Sequence, residues 1–154
     1  MRDAVLKELQ FSVAIVLSRE EVVPRFEVFG SDGAWTIFVP LPNAIKERER
    51  RLRLVAGFMA WTSATHFILS GELVEPDFVY PAAIARTSVL MAGRMILRKP
   101  LSVEPIEWLP ENAAGDEIPA MLPRGRVTLD ANTEQALIAA FGERGEFKAE
   151  RRHS

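Results

Sequence analysis

Val5, Leu6, Leu9, Val13, Val16 and Leu17 recur at three- and four-residue spacings, which predicts an amphipathic helix over residues 3–23. Ser18 and Glu21 stand at capping-box spacing, so a break at Ser18 is the alternative. Pro24 stops the helix, because it lacks a backbone N–H and disfavours the helical region at Val23. The period then changes to two. Arg25-Phe-Glu-Val-Phe29 alternates and Trp35-Thr-Ile-Phe-Val39 is rich in β-formers, with turn chemistry in Gly30-Ser-Asp-Gly33, so residues 25–40 read as a hairpin.

Asn43 is placed to cap a second helix over residues 44–62, whose inner stripe is Ile45, Leu52, Val55 and Met59, widened by Leu54, Phe58 and Trp61. A second hairpin follows, with strands Thr65–Val74 and Phe78–Ala85 around the turn Glu75-Pro-Asp77. Residues 88–98 fit either a short helix or a strand. Val103–Leu109 reads as an edge strand, because Pro105 cannot donate to a ladder. Asp130 caps a last helix through Phe141, which Gly142 terminates. The pattern predicts one α+β domain over residues 1–142. Its sheet is mainly antiparallel, with four to six strands (two hairpins plus an edge strand) against two or three helices. Residues 143–154, with one Phe among charges, read as a frayed polar tail.

Composition narrows the chemistry. The 154 residues suit one domain with a core of its own. The absence of cysteine excludes disulfides, thiolate metal sites and a cysteine nucleophile. It fits a reducing cytosol, and no early apolar run approaches the ~20 residues that span a bilayer, so the expectation is a cytoplasmic protein without a membrane partner. Nineteen basic residues balance twenty-one acidic ones, which leaves no global field toward nucleic acid. The excess of Arg over Lys reads as the codon usage of a GC-rich, bacterial-like genome. A mean hydropathy of +0.04 is slightly high for a small soluble monomer and points to surface buried between subunits.

Three regions could carry function. The segment Trp61–Asp77 contains the single internal histidine, His66, with Glu72, Glu75 and Asp77. On a strand His66, Ser70 and Glu72 share a face, so His66 and Glu72 are candidate metal ligands, and His66, Glu72 and Asp77 candidate acid–base groups. The competing reading, which ranks above it, is a solvated polar face opposite Phe67, Leu69 and Leu73. Lys46–Arg53 carries five bases against two acids, making Lys46, Arg50 and Arg53 candidates for nucleic-acid phosphates. No helix-turn-helix or interleaved aromatics accompany them, so a helix face tied by internal ion pairs ranks first. Glu104 and Glu107 flank the Trp108 strand but face opposite sides of it. No phosphate-cradling glycine loop is present, and no motif implies a cofactor.

These features rank a non-catalytic interaction or accessory domain first, one that self-associates or meets a protein partner. A small enzyme or ligand- or metal-binding protein with its site around Trp61, His66, Glu72 and Asp77 ranks second. A weak nucleic-acid binder through Lys46–Arg53 ranks third.

Overall fold

A helix, α1, runs over Arg2–Leu17, and the chain then enters a hairpin of β1 (Arg25–Gly30) and β2 (Gly33–Phe38). After α2 (Ile45–Trp61) come β3 (Ala64–Leu73), β4 (Ala82–Thr87), β5 (Ala92–Arg98), β6 (Ser102–Val103) and β7 (Glu107–Leu109). The chain closes with α3 (Ala131–Phe141) and β8 (Lys148–Arg152). This computed structural model describes residues 2–17, 23–31, 33–73, 82–87, 92–98, 102–103, 105–109, 123 and 128–152. The strand order is β6-β5-β4-β3-β1-β2-β8, with β7 also on β5, and every described pairing is antiparallel. The α+β arrangement with three helices is the one the periodicities predict.

β1 is an interior strand of this order, between β2 and β3, and side chains of helices pack against both faces of the sheet around it. Phe26 and Val28 point into a core with Val55, Met59 and Leu137 of α2 and α3. Their neighbours Arg25 and Glu27 point the other way, beneath α1, and are also buried. On that side Val5, Leu9 and Val13 of α1 form a smaller apolar cluster with Ile68. Each fully buried aliphatic side chain of this kind contributes about 1.5–3 kcal/mol.

Local chemistry explains the ends. Asp130 accepts a hydrogen bond from the Thr133 backbone N–H at 2.7 Å, the cap the sequence predicts. Gly142 ends α3 in an extended conformation; glycine is required there by close approach, since a Cβ would sit 2.4 Å from the Ile138 carbonyl oxygen. Gly30 is likewise pressed by the Thr62 carbonyl, 2.2 Å from where a Cβ would stand. Ser63, just past α2, takes φ +52°, the left-handed position that commonly follows a helix.

Three expectations change. The cap of α2 is Ala44, without a side-chain hydrogen bond, because the helix starts one residue later than Asn43 could serve. For residues 88–98 the strand alternative holds over Ala92–Arg98, which pairs with β4, while 88–91 lie outside the described residues. Residues 148–152 are a strand, where a frayed tail over 143–154 was predicted: Phe147 is buried against Phe141, and this anchor lays Lys148–Arg152 along β2. The charges of β8 suit a sheet edge, where they discourage further pairing. Pro105 falls between β6 and β7, splitting the predicted edge strand in two. Strands β3 and β4 pair from Ile68↔Thr87 to Leu73↔Ala82, while the predicted turn Glu75–Asp77 lies outside the described residues.

Candidate functional site

Of the residues named by sequence in Trp61–Asp77, His66 and Trp61 have described side chains, and these two stand on opposite faces of the sheet. His66 stands on the α1 side of β3, its ring stacked on Phe29 at 4.5 Å and 7°, with Nδ1 3.0 Å from the Thr65 hydroxyl. Glu72 is six residues farther along the same continuous strand, a rise of about 20 Å, which is too far for one ion. Asp77 lies outside the described residues. Trp61, at the end of α2, packs on the opposite face of the sheet from His66. Among the described residues no group of three metal-ligating side chains gathers.

The basic helix start is held by acids. Glu47 accepts from Arg50 (2.8 Å) and from Arg51 (2.8 Å), and the two guanidiniums hold its carboxyl at about 2. Arg50 also binds Glu146 at 2.6 Å, and Arg51 donates to the Pro40 carbonyl at 2.7 Å. Arg50 and Arg53 border a shallow cleft of about 360 Å³ between α2 and α3, and Lys46 is exposed beyond it. With Arg50 already paired to two carboxylates, this face matches the internally tied helix better than a phosphate-binding one.

Two other sites emerge, one on each side of the sheet. Beneath α1, the Arg25 guanidinium donates to Glu8 Oε2 through Nε (3.0 Å) and Nη2 (2.5 Å). Glu27 Oε1 lies 3.6 Å from Arg25 Nε; its Oε2 accepts from the Thr36 hydroxyl (2.8 Å) and Arg152 Nη1 (2.9 Å). Glu8, Arg25 and Glu27 are all more than nine-tenths buried. Burial pushes the Glu27 carboxyl above the usual carboxylate range; the Thr36 hydrogen bond opposes this, Glu8 adds to it, and Arg152 and Arg25 oppose it. The Ser12 and Ser70 hydroxyls on the same side are buried without a hydrogen-bond partner among the described residues. This network fastens α1 to β1, β2 and β8, and a cleft of about 230 Å³ beside Phe11 and Phe38 opens onto it.

On the other side, Trp35, Phe58, Trp61, Thr62, Phe141 and Arg151 line a pocket of about 320 Å³. Phe58 stands nearly perpendicular to both indoles, 5.8 Å from Trp35 and 6.3 Å from Trp61, and leans on Phe141 at 5.0 Å. Edge-to-face contacts of this kind fix ring positions as well as burying area. Trp61 closes the pocket while remaining 39% exposed. The Thr62 hydroxyl donates back to the Phe58 carbonyl at 2.9 Å.

Sequence reasoning missed the charged network because Arg25 and Glu27 alternate with apolar residues, as on a solvated strand. The signal was on α1: Glu8 and Ser12 stand within the helix's own apolar stripe of Val5, Leu9 and Val13. Trp61 was singled out, but its partners Trp35, Phe141 and Arg151 come from distant segments that sequence spacing does not connect. Neither protein-family models, curated proteins nor solved structures match this chain. No helix among the described residues is long and apolar enough to cross a membrane.

Proposed function

We propose that this chain is a non-catalytic binding domain, and that the pocket around Trp61 is where it takes its ligand. The observation that carries the reading is the pocket itself: four aromatic side chains frame about 320 Å³ open to solvent. Ligand pockets typically span about 300–1,000 Å³, with apolar walls and few polar groups. The buried acids and base beneath α1 support the non-catalytic side of the reading, since Glu8, Arg25 and Glu27 are engaged with one another and with Thr36 and Arg152.

The test is ligand-observed NMR with naphthalene-2-carboxamide, a neutral bicyclic aromatic probe. A probe of about thirteen non-hydrogen atoms, at about 0.3 kcal/mol each, reaches a Kd near 1 mM. Saturable binding in that range, weakened roughly tenfold by Trp61→Ala, is expected from the loss of one aromatic wall. Binding that Trp61→Ala leaves unchanged removes the pocket from consideration.

Self-association is the second reading. Ile45 is 72% exposed, Phe11 55% and Ile138 44%, and contact between subunits would cover such side chains. Native mass spectrometry tests it: a monomer throughout a wide concentration range ends this reading.

A further inference from the structure

We propose that the groove between α2 and α3 receives Ile138 of a second copy of this chain, so that two copies pair through α3 about a two-fold axis running along that helix. This inference rests on the self-association reading and names its surface and geometry. Surface helices ordinarily turn charged and polar side chains outward. α3 departs from this: Glu134 is its one charged residue, and its exposed positions include Ala131, Ala136, Ile138 and Ala139. Ile138 is 44% exposed. On the α2 side of α3, Ala136 and Leu137 line a groove of about 360 Å³ together with Leu54 and Gly57. A Cβ at Gly57 would stand 3.0 Å from Leu137 Cδ2, so glycine keeps this groove open.

Knob and groove lie on opposite sides of one helix. Asn132, Thr133 and Ala136 border the groove, on the side toward α2. Glu134 and Ile138, four residues apart, are neighbours on the side away from it. Rotation about an axis along α3 exchanges these two sides between copies. Each Ile138 then falls on the partner's groove, and each Glu134 on the side where the partner's Arg53 stands. The charges agree with this arrangement. Arg53 and Glu134 are both exposed, and neither side chain has a partner among the described residues. Arg50, by contrast, is held by Glu47 and Glu146. Complementary charges at the rim fix the register of such a contact. The same surface is used twice, so the assembly closes at two copies. An axis across α3 would instead set α2 on α2 and Ile138 beside Ile138, leaving both grooves unfilled. The 11 residues of α3 span about 16 Å, which places the contact among small interfaces, below about 1,200 Å², and makes the dimer a weak one.

The experiment is sedimentation equilibrium of the full chain from about 1 µM to about 1 mM. The expected result is a monomer–dimer equilibrium in the micromolar range. Ile138→Asp, at an exposed position, should weaken the dimer roughly a hundredfold and leave the melting temperature of the monomer unchanged. Arg53→Glu and Glu134→Arg should each weaken it roughly tenfold, because each places like charges opposite one another at both ends of the two-fold. An equimolar mixture of these two variants should recover the original affinity, since every Arg then meets a Glu again. A monomer at every concentration overturns this inference and the self-association reading together. A dimer that Ile138→Asp leaves intact overturns this surface and leaves self-association standing. A dimer that Ile138→Asp weakens but that mixing does not recover overturns the two-fold along α3. An assembly larger than two overturns the closed pairing.

Discussion

The sheet has two faces built from different chemistry. All six buried polar residues among the described ones, Glu8, Ser12, Arg25, Glu27, Thr36 and Ser70, lie between α1 and the sheet. The face beneath α2 and α3 buries apolar side chains, with Phe58 and Phe141 at its open end. The difference teaches which buried group to credit with what. Buried ion pairs repay their desolvation only through good geometry and complete hydrogen bonding, so they specify position more than they stabilise. The Glu8–Arg25–Glu27 network therefore reads as the element that sets how α1 sits. The aromatic face supplies hydrophobic stabilisation and still has a pocket with an exposed tryptophan at its edge.

Breaking the ionic face should give the largest effect. Arg25→Ala leaves the buried Glu8 carboxylate without its guanidinium and should cost about 3–5 kcal/mol in urea denaturation. The pair Glu8→Leu with Arg25→Leu should recover most of that loss, because both charges go together. A small single-substitution cost, or a double variant as unstable as the single one, would make the network a poor account of α1. The hairpin tip offers a smaller test. Gly30→Ala drives a methyl against the Thr62 carbonyl and should cost about 1–3 kcal/mol, since backbone has to move. The movement occurs at the end of α2, so the variant should also weaken probe binding beside Trp61.

The smallest effect is the pH dependence of Glu27. Burial raises its pKa in the folded protein, so the folded chain holds that proton more firmly than the unfolded chain does. The stability it contributes is present below the ordinary value of 4.5 and is lost as pH rises through the raised value. Relative to Glu27→Gln, the unaltered chain should lose stability on going from below pH 4.5 toward neutrality. A difference that grows in its favour over that interval would mean the neighbouring guanidiniums outweigh burial.

The contrast between the faces also marks what the sequence could reveal. The helices and the first hairpin were legible because period and capping are local: Asp130 caps α3 as read, and β1 and β2 fall within residues 25–40. Strand position within the sheet was not local. β1 is an interior strand packed on both faces, so the polar half of Arg25-Phe-Glu-Val-Phe29 is buried, and only Glu8 on the stripe of α1 hinted at it. β8 depended on Phe147 finding Phe141, a tertiary contact that outweighs the charge of Lys148–Arg152. His66 and Glu72 stand six residues apart on one strand, and sequence alternation does not register the length of backbone between them. The pocket joins β2, α2, α3 and β8, so Trp61 could be named from sequence without its surroundings.

The three tryptophans provide the most direct test. Trp35 and Trp61 line the pocket, whereas Trp108 packs with the α1 cluster on the opposite face, the Arg2 guanidinium 5.0 Å from its ring. Their indole N–H signals, followed in ¹⁵N–¹H NMR during titration with naphthalene-2-carboxamide, report on both faces in one experiment. The account predicts that the Trp35 and Trp61 signals shift together along one saturating curve while Trp108 stays in place. Shifts at Trp108 alone, equal shifts at all three, or none at all would contradict it.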